Sequence, residues 1–162
     1  MKKTSEKKAE IKLVGLSLRT NNQNEMDPSL AQIGGLLGTY FAGNIASKIP
    51  NRKNPNVTLA VYTEYDSNEL GDYTYFLGEE VSSFQDIPAE LKTMTLPASQ
   101  YQKFTTETGP MPKVCIDAWL QIWKMSSEDL GGERAYQADF ELYDNRAINP
   151  AETSLDIYIG VK

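Results

Sequence analysis

One order of elements, a strand, a helix and then two strands, can be read twice along this chain of 162 residues. In the first round Glu10 to Leu18 alternates as a strand, and Asp27 offers a helix N-cap with Pro28 at the first helical position. Apolar residues spaced three or four apart (Leu30, Ile33, Leu37, Phe41, Ile45) carry that helix to about Ser47, before Pro50. Val57 to Tyr65 and Tyr73 to Val81, joined around Gly71, read as a hairpin. Ser82 to Gln100, with Pro88 and Pro97, reads as an irregular crossover. The second round follows with a strand at Tyr101 to Glu107, a helix at Lys113 to Met125 and strands at Tyr136 to Tyr143 and Ser154 to Val161. The repeat also shows in the residues. Ala60 to Asp66 lines up with Ala138 to Asp144, sharing the alanine, an aromatic, the tyrosine and the aspartate. A chain so built predicts an α+β fold: two strand-helix-strand-strand modules in pseudo-twofold arrangement, whose half-sheets join into one antiparallel sheet with two main helices. The expected organisation is a flexible basic tail at 1–9 and a single domain at 10–162, with halves at about 10–81 and 100–162.

Within the second half, the run from Tyr136 to Asp144 has a two-residue period. Asp139, Glu141 and Tyr143 share one face, and Ala138, Phe140 and Leu142 the other. The helix at 113–125 confines its polar residues to a stripe of Lys113, Asp117, Gln121 and Lys124. Its apolar arc is wider than the roughly 100° that packing on one sheet requires, so part of it must meet something else. Trp119 and Trp123 lie one turn apart on that arc and can serve as core or as the wall of a cation-binding pocket. Gly34, Gly35, Gly38 and Gly43 lie inside the earlier helix, where each costs about 1 kcal/mol relative to alanine. Close packing against a sheet is the favoured reason for them, ahead of room left for a ligand.

The charge balance narrows the partners. Formal net charge is −6. Without the four lysines and one glutamate of residues 1–8, the remainder holds 12 basic against 21 acidic residues. Such a body repels a phosphate backbone and favours cations, so direct nucleic-acid binding is not expected. With no histidine and one cysteine, Cys115, the chain has no intrachain disulfide, His-dependent triad or usual zinc site, and neither cofactor nor metal is expected. Cys115 is read as packing. The uncharged run from Pro28 to Ser47 holds four glycines and several polar residues and is too weakly hydrophobic to span a membrane. With no signal-peptide pattern, the expected location is cytoplasmic.

Several segments in this order resemble the GyrI-like effector-binding domains found in AraC-type activators and multidrug regulators of bacteria. They are Tyr62-Thr63-Glu64-Tyr65-Asp66, Gly71-Asp72-Tyr73-Thr74-Tyr75, Leu77 to Val81, the tryptophan helix, Asp139 to Tyr143, and Leu155 to Val161. The resemblance implies a groove between two helices in which a buried glutamate, here Glu141, meets a cationic lipophilic compound among aromatic walls. Trp119, Trp123, Tyr143 and Tyr101 are the walls chosen. Asp139 is ranked below Glu141 as a solvated residue near a strand end, and Glu64, Tyr62 and Tyr65 are read as framework. Only the lysine-rich stretch precedes the resembling region, so a stand-alone binder of cationic or aromatic molecules is expected rather than a transcription factor. Two other readings stay open: a hydrolase of electrophilic small molecules with Glu141 as base, and a gyrase-inhibitor-like module with a protein partner.

Overall fold

The computed structural model describes Met1 to Lys162. Its strands are β1 (Lys2–Lys8), β2 (Ile11–Thr20), β3 (Thr58–Thr63), β4 (Tyr73–Glu80), β5 (Lys92–Leu96), β6 (Ser99–Thr105), β7 (Arg134–Tyr143) and β8 (Asp156–Val161). The α-helices are α1 (Asn22–Glu25), α2 (Ile33–Ala42), α3 (Lys113–Trp123) and α4 (Ser127–Leu130). All strands join one antiparallel sheet in the order β1-β6-β8-β7-β3-β4-β2-β5. Outward from the central β3/β7 pair, one half reads β3, β4, β2, β5 and the other β7, β8, β6, β1. This is the pseudo-twofold arrangement expected from the repeated element order.

Two short links determine the shape of the sheet. Only Ala9 and Glu10 connect β1 to β2, which stand first and seventh in the strand order. In a flat sheet these strands would lie about 29 Å apart, whereas a two-residue link reaches about 11 Å. Pro97 and Ala98 impose the same restriction between β5 and β6. The sheet therefore rolls so that its two ends come within reach of these links, and its concave side closes over Leu13, Val61, Phe76, Tyr101, Phe140 and Tyr158. Between β2 and β4, Gly15 faces Gly78, and a Cβ on either would fall 2.0 or 2.1 Å from a backbone oxygen of the other strand. The helices lie on the opposite, convex side. Tyr40 of α2 packs with Val14, Tyr75 and Leu77, while Ala118 and Ile122 of α3 pack with Phe104, Ile157 and Ile159.

Several local expectations are corrected. The lysine-rich segment is no flexible tail, because residues 2–8 form β1 and pair along the whole of β6. Backbone pairing gives the order here, and exposed lysines suit an edge strand because they discourage further pairing. The supposed crossover contains β5, whose Leu96 enters the concave core. Helix α2 does not start at Pro28. The Asp27 carboxylate accepts from the amide and hydroxyl of Ser29 instead, and the Glu25 carboxylate caps the later start by accepting from the Gln32 and Ile33 amides. Gly34, Gly35 and Gly38 are not packed against the sheet either, since an added Cβ would meet nothing within 4 Å.

The residue-level repeat is also displaced by one position. It equates Ala60, which packs on the helix side, with Ala138, which packs in the concave core. A one-residue slip exchanges the two faces of a strand, so the element order repeats while that alignment does not.

Candidate functional site

Above the central strands, α3 and the start of α2 stand apart and leave a cavity of about 340 Å3. That volume falls in the range of small-molecule pockets, roughly 300–1,000 Å3. Tyr62 of β3, Tyr73 of β4 and Glu141 of β7 form its floor. The wide apolar arc of α3 finds its second partner here. Cys115, Ala118, Trp119 and Ile122 are buried, while Ile116, Leu120 and Trp123 remain 52%, 42% and 37% exposed and line the cavity. Met26 and Ile33 close the opposite side, and Glu69 and Arg134 stand at the end.

Glu141 is 3% exposed and is held by three neutral donors. Its Oε2 accepts from the Tyr62 hydroxyl at 2.8 Å and from Trp119 Nε1 at 2.7 Å, and its Oε1 accepts from the Tyr143 hydroxyl at 2.6 Å. The Tyr62 and Tyr143 hydroxyls titrate well above the ordinary tyrosine value, first because burial penalises phenolate and then because of the Glu141 charge. They consequently remain protonated donors. Around Tyr62, the rings of Tyr73, Tyr75 and Trp119 stand edge-on at 5.4, 5.3 and 5.3 Å. The Cys115 thiol lies 3.6 Å from the Tyr143 hydroxyl, and burial together with Glu141 pushes its pKa up, so it stays an unreactive thiol.

Three other carboxylates are buried, and each has a guanidinium partner. Asp139 meets Arg134 at 2.6 Å, Asp156 meets Arg146 at 2.9 Å and Glu79 meets Arg52 at 3.7 Å. Glu141 has no lysine or arginine within ion-pair distance. Its hydrogen bonds satisfy its oxygens without cancelling its charge, which leaves one uncompensated negative group under an aromatic floor.

Of the residues chosen from sequence, Glu141, Trp119 and Trp123 line this cavity. Tyr143 stands behind Glu141 as a hydrogen-bond donor. Tyr101 is misplaced: it faces the concave core, 1% exposed, against Phe140 and Tyr158, with its hydroxyl pushed up to about 12 by burial and then by Asp139. On β6 the odd and even positions face opposite sides, and 101 falls on the side away from the helices. Asp139 is not solvated but fully buried, accepting from Arg134, from the Tyr65 hydroxyl and from the Gly160 amide. Tyr62 and Tyr65, read as framework, line the cavity, as do Tyr73 and Arg134. Tyr62 could have been found from the β3/β7 pairing, which sets it opposite Asp139, with Glu141 two residues along β7 on the same face. Among the described residues no cluster of His, Cys, Asp and Glu could hold a metal ion, and no helix is long and apolar enough to cross a membrane.

The model of a family described as integron-associated effector binding proteins matches residues 6–161. The Bacillus subtilis (strain 168) protein YobU, named as a candidate transcriptional regulator, is 28% identical over 93% of this chain and 92% of its own length. An integron cassette protein from the mobile metagenome of Vibrio cholerae superposes with a TM-score of 0.78 at 25% identity, covering 99% of this chain and 95% of the other. SAV2435, solved bound to tetraphenylphosphonium, superposes with a TM-score of 0.77 at 20% identity, covering 100% of this chain and 94% of the other.

Proposed function

The chain belongs to the integron-associated effector binding proteins, and we propose that its effector is a lipophilic organic cation held over Glu141. The carrying observation is the isolation of that carboxylate, the one buried acid without a guanidinium partner. A bound cation would supply the missing charge. At an effective dielectric near 20 and a separation of about 5 Å, the attraction is worth about 3 kcal/mol. Each favourable contact with the rings of Tyr62, Trp119 or Trp123 adds about 0.5–2 kcal/mol. The apolar wall of Ile116, Leu120, Met26 and Ile33 buries the hydrocarbon of the same ligand.

That SAV2435, of the same fold, was solved with tetraphenylphosphonium makes this compound a natural first probe. In a thermal-shift panel, organic cations should raise the melting temperature of the wild type, and neutral molecules of similar shape should do so far less. Glu141→Gln keeps the side-chain shape and removes the charge. Equal shifts by cations on wild type and Glu141→Gln would refute the assignment. Recovery of the compound unchanged after prolonged incubation is expected for a binder, whereas product formation abolished in Glu141→Gln would make the protein a hydrolase.

A further inference from the structure

A second cavity of about 450 Å3 adjoins the first, and both open over the side chains of Glu69, Trp123 and Arg134, which line each of them. We infer that this second cavity is the tail subsite of the same binding site, taking the neutral, hydrogen-bonding arm of an elongated ligand whose cationic head stands over Glu141. The inference rests on the cation reading given above.

The shared rim is held by an unusual piece of backbone. Arg134 pairs with Val161 and Asp139 with Ile159, so residues 135–138 of β7 stand opposite Gly160 alone. Within this bulge Tyr136 adopts φ 50°, a left-handed conformation that aromatic residues rarely take. The bulge re-aims two side chains. The Arg134 guanidinium lies 4.3 Å from the centre of the Tyr136 ring, and the Tyr136 hydroxyl donates to Glu69 at 2.6 Å. Strained backbone of this kind clusters where a side chain must be held in a particular place. Here it fixes the rim over which the two open cavities meet, with Tyr65 edge-on to Tyr136 on the first cavity's side.

The chemistry of the second cavity differs from that of the first. It is rich in polar groups, including Ser67 and Ser127, yet its charges are matched: Glu133 with Lys162 at 3.7 Å, and Arg134 with Asp139 at 2.6 Å. Glu69 accepts from the Tyr136 hydroxyl, which together with the nearby Arg134 guanidinium holds its carboxyl below the ordinary value. A second cation entering there would meet Glu69 only beside Arg134 and partly solvated, and would find no buried carboxylate that lacks a neighbouring guanidinium as Glu141 does. Hydroxyl, ether or amide groups would find donors and acceptors, while Ile122, Met125 and the edge of Trp123 would cover the intervening methylenes.

The test uses three compounds: methyltriphenylphosphonium, the same head with a hydroxyl-ended ethylene glycol arm, and the same head with an ammonium-ended arm. On the wild type the glycol arm should tighten binding about tenfold over the head alone, and the ammonium arm should not. Ser127→Trp and, separately, Ser67→Trp place a ring in the second cavity from opposite sides, and either should abolish the advantage of the glycol arm over the head. The inference is overturned if the glycol arm gives no gain, if the gain survives both substitutions, or if the ammonium arm gains as much. In each of those results binding of the head leaves the cation reading standing. Failure of methyltriphenylphosphonium to bind the wild type would instead overturn that reading, and the tail subsite with it.

Discussion

Trp119 Nε1 donates to Glu141 Oε2 at 2.7 Å, tying α3 of one half to the central strand on which the two halves meet. Trp119→Phe keeps most of the ring and removes the donor, leaving a buried carboxylate short of one of its three partners. The substitution should lower stability by about 2–3 kcal/mol, read from urea denaturation at constant m-value. A loss below about 0.5 kcal/mol would mean that the indole is not a structural partner of Glu141.

Arg134 and Asp139 form the most buried ion pair, with side chains 12% and 0% exposed. Arg134→Ala would strand a buried carboxylate and should cost about 3–5 kcal/mol. Lys113→Ala breaks an exposed pair with Asp117 one helical turn away and should cost less than about 0.5 kcal/mol. Parallel denaturant titrations of the two variants give the comparison.

Helix α2 carries glycines without needing their small size. At Gly38 an added Cβ meets nothing within 4 Å and the backbone is helical, so Gly38→Ala should stabilise by about 0.5–1 kcal/mol. Glu25→Ala acts in the opposite sense, removing the carboxylate that caps Gln32 and Ile33, and should cost about 1 kcal/mol with faster hydrogen exchange at those amides.

Acid sensitivity should run through Arg146. Its hydrogen bonds hold the Asp144 carboxyl below the usual carboxylate value, and at Asp156 they outweigh the opposing effect of burial, with help from Thr105. With folded pKa values depressed, the native state binds fewer protons than the unfolded chain as pH falls below about 4, so stability is full above that range and drops through it. Arg146→Ala should flatten this slope. An unchanged slope between about pH 4 and pH 2 would show that these two carboxylates do not contribute to it.

Glu141 was legible through the family resemblance of the segment Asp139 to Tyr143, while the two-residue alternation fixed only which side chains share its face; the excess apolar arc of α3 was legible because helical periodicity is local. The rest of the site depends on pairing between distant segments. Tyr62 reaches Glu141 only through the β3/β7 register, and Arg134 and Tyr136 reach the cavity through a bulge that no local pattern announces. Tyr101 went to the wrong side because the facing of β6 is set by its neighbours β1 and β8 rather than by its own residues. The β1 strand was hidden by its lysines, since its order comes from backbone pairing at a sheet edge and not from buried side chains.

The Glu141 charge, and not the shape of its cavity, should select the ligand. Calorimetric titration of wild type and Glu141→Gln with tetraphenylphosphonium and with neutral triphenylphosphine oxide measures it directly. Glu141→Gln should weaken the cation by about 100-fold and the neutral compound by less than about threefold. Equal weakening of both compounds, or of neither, would contradict it.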